Sequence, residues 1–93
     1  MVVGVCTIEL RLLEAQNLKD KRRVIKGLLD RVRQRYQVAA AEVDHQNSHT
    51  RATLGIACVS NATQHADEIL AAILRFIEAQ DELEVLDYHT EVL

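Results

Sequence analysis

From Val2 to Leu12 the apolar residues Cys6, Ile8, Leu10 and Leu12 alternate with Thr7, Glu9 and Arg11. A period of two predicts a strand with one dry face and one wetter face. The period then changes. Asn17 precedes Leu18, with Asp20 three positions on, a pattern like a capping box. Beyond it Leu18, Ile25, Leu28, Leu29, Val32 and Tyr36 fall on one helical stripe. The short run Val38 to His45 reads as a second strand, His45 to Thr50 as a polar hairpin, and Arg51 to Ser60 as a third strand with Ala52, Leu54, Ile56 and Cys58 inward. Asn61 followed by Gln64 marks the start of a second helix, along which Ala66, Ile69, Leu70, Ile73, Leu74 and Ile77 recur at three- and four-residue spacing. Leu83 to Leu93 reads as the last strand.

The order strand, helix, strand, strand, helix, strand is that of a ferredoxin-like α+β sandwich filling a single domain over residues 1–93. Right-handed crossovers place both helices on one face of a four-stranded antiparallel sheet, with the first and third strands central. The other face is open. There Val3 and Val5 are expected beside Ala57 and Val59, an apolar patch suited to self-association as a homodimer. The polar pole where the first strand ends collects Glu9, Arg11, Glu42, Asp44, His45, His49 and Arg51.

Composition fits this picture and narrows the function classes. A chain of 93 residues with 48% hydrophobic and 27% charged residues is that of one folded domain. Its longest apolar runs fall far short of the roughly 20 residues a membrane span needs. No basic residue precedes Arg11, so the start lacks the pattern of a secretory signal, and a cytoplasmic location is expected. Cys6 and Cys58 sit in apolar runs and read as small core residues.

Charge is the strongest unevenness. Eight of the eleven basic residues lie between Lys19 and Arg35, among only Asp20 and Asp30, although the chain carries a net −3. Residues 61–93 hold eight acids against Arg75 alone. Lys19, Arg22, Arg23, Lys26 and Arg33 follow one flank of the first helix as a positive ridge. Lys19, Lys21 and Arg22 stand in the first turn, where cations oppose the helix dipole and an anion is favoured. The expectation is an anionic partner, with phosphate contacts from Lys19, Lys21, Arg22, Arg23 and Lys26 and assistance from Arg51 and His49. RNA is the natural candidate, because this fold recurs among RNA binders. The lack of any aromatic residue on the two central strands speaks against the mode in which bases stack on aromatic side chains there. The alternative is a homo-oligomeric or small-ligand module working through Val3, Val5, Ala57 and Val59.

Catalytic signals are weak. His45 and His49 are four apart, but that spacing gathers metal ligands on a helix, not in a hairpin. Glu42 and Asp44, read as sharing one face of the second strand, form a possible acid/base pair near Arg11 and Arg51. There is no phosphate-cradling glycine loop and no nucleophile elbow. No cofactor, metal or enzymatic reaction has positive support.

With these residues laid out, the chain resembles the YlxP-like family of small bacterial proteins, a group defined by a domain of unknown function. The likeness lies in Val3-Gly4-Val5-Cys6-Thr7-Ile8-Glu9-Leu10, Leu18-Lys19-Asp20-Lys21-Arg22-Arg23-Val24 and Ala41-Glu42-Val43-Asp44-His45-Gln46. Arg51-Ala52-Thr53-Leu54-Gly55 and Val85-Leu86-Asp87-Tyr88 complete it. The resemblance implies a ferredoxin-like fold, no established activity, and genes often placed near those for translation initiation and ribosome maturation factors. The chain departs from the family pattern at Leu13, where relatives tend to have Pro. It departs again at Asn47-Ser48-His49-Thr50, where Asp-x-Trp-Gln is common.

Overall fold

The computed structural model describes residues 1–93. Its elements are β1 (Val2–Leu12), α1 (Leu18–Tyr36), β2 (Ala39–Asp44), β3 (Arg51–Ser60), α2 (Thr63–Glu78) and β4 (Leu83–Val92). The sheet runs β2-β3-β1-β4 with every neighbouring pair antiparallel, and both helices cover one face. This is the ferredoxin-like α+β fold.

Alternation builds the core. Cys6, Ile8, Leu10 and Leu12 of β1 and Ala52, Leu54, Ile56 and Cys58 of β3 are buried against Ile25, Leu28, Leu29 and Val32 of α1 and Ala66, Leu70, Ile73 and Ile77 of α2. Each large aliphatic side chain so buried contributes about 1.5–3 kcal/mol. Gly4 sits where β1 passes under α2, and a Cβ there would stand 3.0 Å from Leu70 Cδ1, 3.1 Å from Cys58 Sγ and 3.2 Å from Ala66 Cβ. A Gly4→Val chain is therefore expected to lose about 1–3 kcal/mol through overpacking, read as a lowered midpoint in thermal unfolding. An unchanged midpoint would mean that α2 can lift from β1 freely.

The helix ends show where local signals hold. Asn17 caps α1, its Oδ1 accepting the Asp20 N–H at 2.8 Å. Asp20 Oδ2 in turn accepts the N–H of Gln16, one residue before the cap, at 3.2 Å. Gln37 closes α1 in the left-handed region at φ 54° and donates its N–H to the Arg33 carbonyl. For α2 the expected start at Asn61 is corrected to a cap at Ala62, which offers no side-chain bond. The Ser60 hydroxyl takes over by accepting the Ala62 N–H at 3.2 Å and pairing with His65 Nδ1 at 3.0 Å.

Two bulges shape the edge strands. In β4 the register with β1 shifts at Leu86, between the pairs Leu10–Val85 and Glu9–Asp87. In β2 it shifts at Val43, between Glu42–Leu54 and Asp44–Thr53. The extra residue breaks the period of two. Glu42 thus turns toward α1 while Asp44 falls on the open face, so the expectation that they share one face is corrected. Val43 instead folds over Gly55, its Cγ1 3.0 Å from where a Cβ would be.

Candidate anion-binding face of the first helix

Lys21 overturns one expectation outright. It is placed in the sequence reading among the exposed phosphate contacts, yet its side chain is fully buried. Position 21 precedes Ile25 by four residues and Leu28 by seven, so it belongs to the buried stripe of α1. The Nζ donates to the carbonyls of His45 and Ser48, both at 2.6 Å, and meets Glu42 Oε2 at 2.7 Å. That oxygen is buried and has no aligned hydrogen-bond donor, so the ammonium holds it as an ion pair. Lys21 therefore fastens the β2–β3 hairpin to the start of α1. His45 lies in the left-handed region at φ 63°, which turns its carbonyl onto the ammonium.

The rest of the ridge is exposed. Lys19, Arg22, Arg23, Lys26 and Arg33 all reach solvent. Arg23 stands 3.6 Å from Asp20, Lys26 2.9 Å from Asp30, and Arg33 3.2 Å from Asp30. Arg33 also folds back onto the outer edge of β2, donating through Nε and one terminal nitrogen to the Ala40 carbonyl. The hydrogen bond from Lys26, with the charges of Lys26 and Arg33, holds the Asp30 carboxyl below the usual carboxylate range. Lys19 and Arg22 have no carboxylate partner. Between α1 and β2 runs a groove of about 320 Å³ with Arg22, Lys26 and Arg33 on its walls, Ile25 and Leu29 in its floor, and Asp30 and Glu42 beside them.

The polar pole assembles partly as expected. Thr50 accepts the Leu12 N–H, so the hairpin does lie where β1 ends. Glu9 Oε2 accepts from the Thr53 hydroxyl at 2.9 Å and has His45 Nε2 and Arg51 at 3.9 Å. Arg11 is drawn to the other edge by Glu84 at 2.8 Å. Arg51 thus faces the open side of the sheet with Glu9, while His49 is exposed on the hairpin. Thr53 is nearly buried at 4% exposure, and its partnership with Glu9 follows from strand register, which composition does not reveal. No three side chains of His, Cys, Asp or Glu converge as metal ligands.

On the open face Val3 and Val5 lie beside Ala57 and Val59, as expected, and the register pairs Val3 with Val59 and Val5 with Ala57. Val5, Thr7, Ala39, Ala41, Val43, Gly55 and Ala57 border a shallow hollow of about 350 Å³ there. Cys6 and Cys58 are buried free thiols on the helix side. Burial pushes the Cys6 thiol up, against a smaller opposing pull from the Thr90 hydroxyl.

Comparison with known proteins places the chain in a family. The chain is 32% identical over 90 residues to "Uncharacterized protein YlxP" of Bacillus subtilis (strain 168), covering 97% of this chain and 98% of that one. Among solved structures it is similar to "De novo designed protein Foldit4", with a TM-score of 0.53 over 98% of this chain and 93% of the other. At 21% identity that likeness shows the fold alone. No helix is long and apolar enough to cross a membrane. Residues 3–90 match the family model described as "Protein of unknown function (DUF503)", and the chain belongs to that family.

Proposed function

We propose that this protein is a cytoplasmic binding module that docks on structured RNA, such as that of a ribosome-associated complex, through the outer face of α1. One observation carries this reading: Lys19, Arg22, Arg23, Lys26 and Arg33 stand exposed on one flank against only Asp20 and Asp30, in a chain of net charge −3. Exposed ion pairs of this kind contribute at most about 1 kcal/mol each, so phosphate oxygens replace the two aspartates at little cost. Lys21, neutralised internally by Glu42, takes no part. The hairpin carrying His49 is fastened to the same helix end and forms the far margin of the surface.

Binding to ribosomal RNA fragments, followed across a salt series, tests this. Three to five phosphate contacts give a slope of log affinity against log salt of roughly −2 to −4. A flat response would leave the ridge without its counterpart.

The open sheet face supports a second reading, a homodimer. Val3, Val5, Ala57 and Val59 form adjacent cross-strand apolar pairs, and Val59 is 67% exposed. A second copy packed on this face would cover them. Sedimentation equilibrium of a Val5→Asp, Ala57→Asp chain is expected to show monomer where the parent chain is dimeric. A parent chain that is monomeric at all concentrations would remove this reading and leave the RNA surface standing.

A further inference from the structure

The helical layer holds a second cationic cluster that the ridge does not include. Arg31 and Arg35 leave α1 on its other flank, toward α2, and with Gln34 and Phe76 they line a surface cleft of about 330 Å³. Neither arginine has a carboxylate partner, and the one hydrogen bond of the Arg31 guanidinium is to Gln80 Oε1 at 3.4 Å. The guanidinium carbon of Arg35 lies 5.2 Å from the centroid of the Phe76 ring and 5.8 Å from that of Tyr36. Those two rings meet edge-on at 5.9 Å. Two of the three aromatic residues of the chain thus stand behind one guanidinium.

A guanidinium this close to aromatic rings is attracted to them as a cation, and because Arg35 is exposed its plane can also take a further planar ring. Nucleobases stack on such planes as they do on aromatic side chains. Arg31 beside it supplies N–H donors in the fork geometry that suits phosphate oxygens. A bare anion would use both charges and gain nothing from the rings behind them. We infer that this cleft is a nucleotide-stacking site, in which one base of an RNA strand lies on the Arg35 guanidinium and its phosphate meets Arg31. The platform absent from the central strands is thereby supplied by the helices. This inference rests on the proposed RNA-binding function and names the part of the RNA that the second flank takes.

Adenosine 5′-monophosphate and ribose 5-phosphate carry the same phosphate and differ by the base. Titrated into the whole protein and followed by NMR, the former is expected to bind about tenfold more tightly, with shifts at the Arg35 Nε–H and the Phe76 ring. Arg35→Lys keeps the charge and removes the plane, so the preference is expected to vanish while the amide spectrum stays native. Phe76→Leu, which removes the backing ring, is expected to reduce it. Equal binding of the two compounds, no detectable binding of either at millimolar concentration, or an undiminished preference in Arg35→Lys would overturn the site. RNA binding by the parent chain that shows the salt slope, while the two compounds bind it equally, would sink the stacking site alone. Loss of the salt slope in the parent chain would sink the proposed function as well.

Discussion

Glu42→Ala is expected to destabilise the protein by about 3–5 kcal/mol, the usual effect of stranding one member of a buried ion pair. The Lys21 side chain has no exposure, so its charge cannot turn out to water without moving the hairpin, and the Glu42 side chain is only 17% exposed. Without the carboxylate, the ammonium keeps two carbonyl acceptors and no counter-charge. Against a total stability of roughly 5–15 kcal/mol, that is a large fraction. Urea unfolding with a fixed slope provides the measurement, since a shift in midpoint alone reports stability. Lys21→Ala should cost a comparable amount, because it leaves the His45 and Ser48 carbonyls without their donor and Glu42 without its counter-charge. Lys19→Ala, two residues away and exposed, should stay within about 0.5 kcal/mol. Equal effects at positions 19 and 21 would show that the clamp does not hold the hairpin. The apolar double replacement Lys21→Met, Glu42→Leu should recover part of the loss, as removing both charges ends the mismatch. It should not recover all of it, since the two hairpin carbonyls still lack a donor.

Lys21 also shows where reading the sequence succeeds and where it stops. The six elements were legible because apolar period, Asn17 and the polar Asn47-Ser48-His49-Thr50 stretch are local signals. The sheet order and the placing of Val3 and Val5 beside Ala57 and Val59 followed from topology. The role of Lys21 was partly legible, because its position lies on the stripe of Ile25, Leu28 and Val32; its basic identity outweighed its phase. Its three partners come from residues 42 to 48, and no local pattern announces them. The bulge at Val43 was invisible for a related reason. Glu42-Val43-Asp44 alternates cleanly, and only pairing against β3 shows that one residue is extra. At the start of α2, Asn61 is a good cap by type, but Ser60 sits one residue earlier and reaches the free N–H of Ala62. The Arg35–Phe76 contact joins residues on two different helices, so charge patterning along α1 could not distinguish Arg35 from a solvated arginine.

Arg22→Glu with Arg23→Glu is expected to weaken RNA binding on the order of 100-fold near physiological salt while leaving unfolding almost unchanged. Both side chains are exposed, and the only ion pair lost is the one between Arg23 and Asp20 at 3.6 Å, an interaction too open to carry much stability. Their effect on binding has two parts. Two phosphate contacts vanish, which should reduce the salt slope by roughly 1.4 to 1.8, and two negative charges now repel the strand. Glu42→Ala is expected to show the opposite pattern when measured below its unfolding transition: lower stability, with the outer face of α1 still positive and the salt slope retained. The two variants therefore separate the cation that builds the surface from the cations that use it. If the charge-reversed chain binds as the parent does, the exposed flank of α1 serves only solvation. If it fails to fold, Arg22 and Arg23 have a structural role that their exposure does not show.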